Sequence, residues 1–388
     1  MSLSVNSRIP MRALLAGARR MQPSLITFTR QLVSCESPSD SKTAVDACLT
    51  LAAAHARAIG GRVKIHCNPN FGNALEARFG PRGSREKPIL LLGHLDTVWP
   101  LGTRQSMPCR ISGGRLWGPG TLDMKAGVAM AFTAIELLTE AGLLQREIVL
   151  LLTGDEEIGS TASRPITEAL AKKSSAVYVL EPAQGLAYKT ARKGIGNWRI
   201  DVAGIAAHAG VDFEKGANAI RELARVIEKV SSWTDLKRGL TVSVGVAAGG
   251  TKSNVIPAHA WAEVEARIVR RADGPRIERK FAALKSLKLT NPRCTLTVTG
   301  GVNRPPMERS RGTVRLFRKA QTLAHELGFT LNEASTGGGS DGNFTAALGI
   351  PTLDGMGAVG EGAHAQHESV IVDHIAPRTA LLAAMLIS

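Results

Sequence analysis

Short apolar runs alternate with longer segments of helical period along the first half of the chain. After a helical start, strands are predicted at Arg62–Ile65, Ile89–Gly93, Glu147–Thr153 and Ala176–Leu180, with helices at about Ala126–Ala141 and near Pro165–Lys172. Uninterrupted apolar strands alternating with helices signal an α/β fold, a sheet covered by helices on both faces. From about Gly196 the rhythm changes. Strand (Trp198–Val202), helix (Ala217–Val230), two strands (Thr241–Ala247 and His259–Val269), helix (Arg276–Lys288) and strand (Arg293–Val298) follow in turn. That β-α-β-β-α-β order is the split ferredoxin-like unit. After about Val302 the first style resumes, with a helix at Thr313–Leu327, a glycine-rich loop at Thr336–Asp341 and a last helix near Pro377–Ile387. The pattern predicts a discontinuous domain over 1–195 and 303–388, with an inserted domain over 196–302.

Composition agrees with two domains, because 388 residues exceed the size at which one core keeps growing. The content is 44% hydrophobic, and no segment nears the roughly 18 apolar residues that cross a bilayer. Arg8 and Arg12 precede an apolar patch, Ala13–Ala18, that Arg19 and Arg20 end below the about 7 to 15 residues of a signal sequence. A cytoplasmic location is expected. The five cysteines, with no CxxC pair, fit reduced thiols and argue against thiolate metal ligands. A net charge of +15 would attract anionic partners. Much of it falls between Arg270 and Arg293, and with 4% aromatics and no recognisable nucleic-acid module it reads as a solvated helix face.

Three apolar strands end in polar residues: Leu90–Gly93 runs into His94 and Asp96, Ile148–Leu152 into Asp155, Glu156 and Glu157, and Val177–Leu180 into Glu181. Sites of open α/β sheets lie outside the carboxyl ends of their strands, so these side chains can converge. One imidazole among several carboxylates suits a hard or borderline divalent cation. His94 and Asp96 share a face while the strand stays extended, which lets the carboxylate orient the imidazole. Asp123, in a turn-rich stretch before the long helix, could equally be a helix cap. Adjacent acids at a buried strand end, Glu156 and Glu157, repel unless a cation compensates. In the loop Gly360–Glu368 either His364 or His367 could serve, and spacing does not choose between them.

Taken in order, GHLDTV (Gly93–Val98), GPGTLDMKAG (Gly118–Gly127), GDEEIGS (Gly154–Ser160), LEP (Leu180–Pro182) and GEGAH (Gly360–His364) resemble the dinuclear zinc metallopeptidases that include glutamate carboxypeptidases, aminoacylases, dipeptidases and succinyl-diaminopimelate desuccinylase. The resemblance covers nearly the whole chain after about residue 24. It implies a zinc-peptidase catalytic domain with an inserted lid and dimerisation domain. It further implies that Asp123 bridges two metals, that His94 and Glu181 complete one site, and that Glu157 and His364 complete the other. Glu156 becomes the general base, Asp96 the partner of His94, and the peptide bond after Asp123 is expected to be cis. Within the insert, the matching His208 stabilises the oxyanion, often from a partner subunit, while Asn254 and Arg267 hold the substrate and its carboxylate. The Ser335–Asn343 loop, with Gly339 and Ser340, and the segment from Arg304 look most like the glutamate carboxypeptidase branch. Lys125–Ala126–Gly127 departs slightly from the Lys-Gly-Gly of many members.

The function expected is therefore a zinc-dependent hydrolase, cleaving an amide next to a C-terminal amino acid, with manganese or cobalt as possible substitutes and a homodimer formed through the insert. The alternatives are an N-acyl-amino-acid deacylase or dipeptidase with the same site, a non-catalytic binding protein of the same fold, and a polyanion binder suggested by the charge.

Overall fold

The computed structural model describes residues 10–83 and 86–388; Arg8 lies outside them. The chain divides into two compact units. One takes in the residues through Ala191 together with Arg309–Ser335 and Ser340–Ser388; the other takes in Arg192–Glu308 and Thr336–Gly339.

In the first unit a six-stranded sheet runs in the order Arg62–His66, Ala74–Phe79, Ile148–Thr153, Ile89–His94, Ala176–Val179, Thr352–Leu353. The last four strands are parallel and the first two antiparallel. Both faces are buried, which is why the central strands read as unbroken apolar runs. Leu91 and Leu150 point into a core with the helices Met11–Ser34, Ala126–Glu140 and Ile375–Ile387, whereas Leu90, Leu92, Val149 and Leu151 point to the other side, against Leu170 and Ala171 of the helix Arg164–Lys173.

The strand Ala74–Phe79, absent from the expected elements, is not an unbroken apolar run but an alternating one. Leu75, Ala77 and Phe79 enter the core, while Glu76, itself buried, and Arg78 join an ion-pair network with His66 and Glu147 at 2.6 to 2.9 Å. A second sheet also escaped notice, its strands being only two or three residues long. It is ordered Gly360–Glu361, Ser369–Ile371, Arg115–Trp117, Arg110–Ser112. Gly113 and Gly114, at φ 58° and 71°, make its hairpin turn, a pair of left-handed positions that glycine adopts without steric cost.

The second unit has strand, helix, two strands, helix and strand around an antiparallel sheet ordered Thr241–Gly249, His259–Ile268, Gly194–Ala203, Thr295–Arg304. Its core joins Trp198, Ile200 and Val202 to Leu223, Val226 and Phe281, with Trp198 and Phe281 stacked at 3.9 Å. The last strand continues past the expected Val298 to Arg304, with Gly300 and Gly301 opposite Trp198 and Asn197 within the ladder. The second helix, Asp273–Leu284, starts and stops before the expected Arg276–Lys288. Among the described residues no helix is long and apolar enough to cross a membrane.

Leu150 is fully buried in the central sheet, and Leu236 is 76% exposed. Leu150→Ala is expected to cost about 2 to 5 kcal/mol in denaturant unfolding, against less than about 0.5 kcal/mol for Leu236→Ala. Equal losses would contradict this assignment of the core.

Candidate metal centre

Three neighbouring parallel strands deliver their ends to one edge. His94 closes its strand, Thr153 leads into the turn Glu156–Ile158, and Leu180, whose N–H donates to the Leu92 carbonyl at 2.9 Å, leads to Glu181. Asp123 comes from the segment just before the helix Ala126–Glu140. That helix begins hard against the Leu180–Glu181 strand end, where a Cβ on Gly127 would lie 2.2 Å from the Leu180 carbonyl oxygen, so only glycine fits. The Asp123–Met124 peptide bond is cis. The short sheet brings in the last part, the His364 loop: Arg115–Trp117, which precedes the Asp123 segment, pairs with Ser369–Ile371, which follows that loop. His364 itself takes a left-handed backbone, φ 63°, uncommon outside glycine and concentrated at functional sites.

The geometry centres on Asp123. One carboxylate oxygen lies 3.2 Å from His94 Nε2, the other 3.4 Å from His364 Nε2. His94 Nε2 is also 3.7 Å from Glu181, and His364 Nε2 is 3.1 Å from Glu157. Donor atoms of His94, Asp123 and Glu157 lie within 4.8 Å of one another, as do those of His94, Glu156 and Glu181. The structure therefore gathers His94, Asp123, Glu156, Glu157, Glu181 and His364. Of the two histidines in the last loop, His364 faces the carboxylates, while His367 packs under Gly362.

Burial alone would push the His94 imidazolium down, yet its bonds to Asp123 and Asp96 hold it well above the usual imidazole range. Asp123 and Glu157 raise His364 to about 10. Asp123, despite burial, is held far below the ordinary carboxylate range by the two imidazoles. Burial pushes the Glu157 carboxyl up. Four acids against two imidazoles, mostly out of water, is a donor set costly to assemble without cations, and its nitrogen and oxygen atoms suit zinc, manganese or cobalt. The residues fit a pair of divalent ions sharing Asp123.

Asp96 meets His94 with two of its groups. His94 Nδ1 donates to the Asp96 main-chain carbonyl at 2.9 Å, with the carboxylate farther off at 3.5 Å. Holding the proton on Nδ1 leaves Nε2 free to ligate. The Asp96 carboxylate also accepts from the Ser39 hydroxyl (2.8 Å) and from the N–H groups of Glu156 (3.2 Å) and Glu157 (3.1 Å), fixing the turn that carries both acids. Ser39 escaped sequence reasoning, as did Lys125, whose buried ammonium donates to the Leu32 and Cys35 carbonyls at 2.9 Å. Glu368, which accepts from the Gly120, Leu122 and Asp123 N–H groups, escaped it too. These partners are mostly main-chain atoms, which leave no residue pattern to read.

The remaining candidates divide between the units. In the second, His208 and Asn254 are exposed neighbours, the Ala209 N–H donating to the Asn254 carbonyl at 2.9 Å. The Arg267 guanidinium forks onto Glu265, with Nε and Nη2 each 2.8 Å from a carboxylate oxygen, and its Nη1 donates to the Gly337 carbonyl at 3.0 Å. Arg192, unnoticed in the sequence, donates to the Gly338 and Gly339 carbonyls at 3.3 and 3.0 Å. Arg304 is buried, and a Cβ on Gly339 would come within 2.8 Å of its Cδ. Arg192, Arg267 and Arg304 thus surround the glycine-rich loop. In the first unit the fully buried Ser340 turns its hydroxyl inward to Asp354, at 2.6 Å.

Comparison with known proteins bears on this arrangement. A sequence profile described as Peptidase family M20/M25/M40 matches residues 90–388. The chain is 30% identical over 379 residues to carboxypeptidase G2 of Pseudomonas sp. (strain RS-16), covering 94% of this chain and 89% of that one. It is 28% identical over 349 residues to a succinyl-diaminopimelate desuccinylase of Stenotrophomonas maltophilia, covering 84% and 90%. The crystal structure of aminopeptidase PepT from Bacillus cereus superposes with a TM-score of 0.76 at 24% identity, covering 94% of this chain and 98% of that one.

The raised imidazoles make a prediction about ion binding. Both imidazoles are held above their ordinary range in the metal-free protein, and a ligating imidazole must be neutral, so loading releases protons. Calorimetric titration with zinc at pH 7 in buffers of different ionisation enthalpy should detect release of up to about two protons per chain, with affinity rising as pH rises. Binding with no proton release would contradict the assignment of His94 and His364 as ligands.

Proposed function

The chain belongs to peptidase family M20/M25/M40 and is a hydrolase; from that premise we propose that it is a dinuclear zinc carboxypeptidase removing a C-terminal amino acid, glutamate foremost, from a peptide or N-acyl conjugate. The observation that carries the proposal is the Asp123 carboxylate, one oxygen toward His94 and the other toward His364. Asp123 would be shared between the two ions, with His94 and Glu181 holding one and Glu157 and His364 the other. When bound, the ions lower the pKa of an attacking water and polarise the scissile carbonyl.

The chain's own groups do the rest. Glu156, adjoining ligand Glu157, takes the water proton and returns it to the departing amine nitrogen. Asp96 keeps that pair of acids in place and the proton of His94 on Nδ1. His208 donates to the developing oxyanion, reaching the site from the inserted domain of a partner subunit in a homodimer, and Asn254 helps hold the substrate. Arg267 meets the substrate carboxylate; its bond to Glu265 fixes the plane of the guanidinium, and Arg304 and Gly339 line the same position. Preference for an acidic product fits the net charge of +15. The likeness to carboxypeptidase G2 over nearly the whole chain supports this reading, while that to a desuccinylase keeps N-succinyl amino acids as the second class to test.

A panel of N-acyl-glutamates, N-succinyl and N-acetyl amino acids, and dipeptides, assayed with zinc, is expected to give the highest kcat/KM on N-acyl-glutamates. Glu156→Gln should lower kcat by about 10²- to 10⁴-fold with both ions retained. Undiminished turnover in that variant would remove Glu156 from the mechanism, and preference for N-succinyl substrates would replace the carboxypeptidase assignment.

A further inference from the structure

The Glu368 side chain is 1% exposed, and its carboxylate is surrounded by N–H donors. One oxygen accepts from the main-chain N–H of Leu122 (2.8 Å) and of Asp123 (3.0 Å). The other accepts from the Gly120 N–H and the Trp99 indole, both at 2.8 Å. The Glu368 main-chain carbonyl takes a further bond, from the Gly118 N–H at 3.3 Å. Four donors occupy both carboxylate oxygens, and three of them belong to the short segment that presents Asp123. Glu368 itself lies four residues after His364, at the close of the loop whose start pairs with Ser369–Ile371. One buried side chain therefore ties the segment of the shared carboxylate to the loop of the far imidazole, across about 245 positions of sequence.

We propose that Glu368 is a positioning residue for the dinuclear site. By accepting the N–H groups of Gly120, Leu122 and Asp123, it preforms the Asp123 segment before any cation arrives, so that binding energy is not spent on ordering that segment. It touches neither substrate nor ion and acts through Asp123. The inference rests on the reading of Asp123 as the shared ligand. A neutral amide cannot replace the carboxylate, because its NH2 group would face two N–H donors that need an acceptor.

Two measurements test it. In the metal-free wild-type protein, hydrogen exchange of peptides covering residues 118–125 should show the Gly120, Leu122 and Asp123 amides protected, at a level that zinc raises little. Free exchange without metal, and protection only with it, would overturn the proposal, and this measurement needs no variant to fold. In Glu368→Gln, checked by circular dichroism and studied well below its unfolding temperature, zinc affinity from chelator competition should fall about 10- to 100-fold. Wild-type affinity in a folded Glu368→Gln protein would overturn it, since a merely structural role would lower the unfolding temperature and leave affinity untouched. Failure of the wild-type chain to bind two ions would instead sink the metal-site reading itself, which keeps the two failures apart.

Discussion

A single carboxylate shared between two imidazoles is the constraint on which the rest of the structure depends. Asp123 meets His94 from a central strand with one oxygen and His364 from the last loop with the other. Meeting both requires that strand ends, the start of a long helix and a distant glycine-rich loop stop within a few ångströms of one point. The parallel order of the sheet supplies three of the contributors at one edge, as open α/β sheets do. The short sheet joining Arg115–Trp117 to Ser369–Ile371 brings the His364 loop up to the Asp123 segment.

Such a concentration of buried acid is unfavourable by itself, and the surrounding chain shows how it is held. Main-chain donors and short side chains are turned toward it: the Glu156 and Glu157 amides onto Asp96, and the Ser39 hydroxyl onto the same carboxylate. The Asp96 main-chain carbonyl fixes His94. A glycine at 127 lets the helix come close enough to aim Asp123. Each is a constraint on orientation more than a source of stability, and orientation is what a pair of cations with a water between them demands.

The fold was legible in the sequence where both faces of an element are buried. Ile148–Thr153 and Ile89–His94 announce themselves as unbroken apolar runs, and their polar ends mark the site. Ala74–Phe79 did not, because its outward side chains form ion pairs, and the two- and three-residue strands were too short for any period to register. The candidate ligands were legible as residue types at strand ends, but the choice of His364 over His367 needed either the family resemblance or coordinates. Ser39, Lys125, Arg192 and Glu368 could not be read at all. Their partners are carbonyls, amides and residues remote in sequence, and such contacts exist only once the chain has folded.

The most direct measurement of the central claim is anomalous diffraction from crystals of the zinc-loaded protein. The account predicts two zinc peaks per chain, one on each side of the Asp123 carboxylate, the first also bound by His94 and Glu181 and the second by Glu157 and His364. A single peak, or zinc held elsewhere with Asp123 unligated, would contradict it.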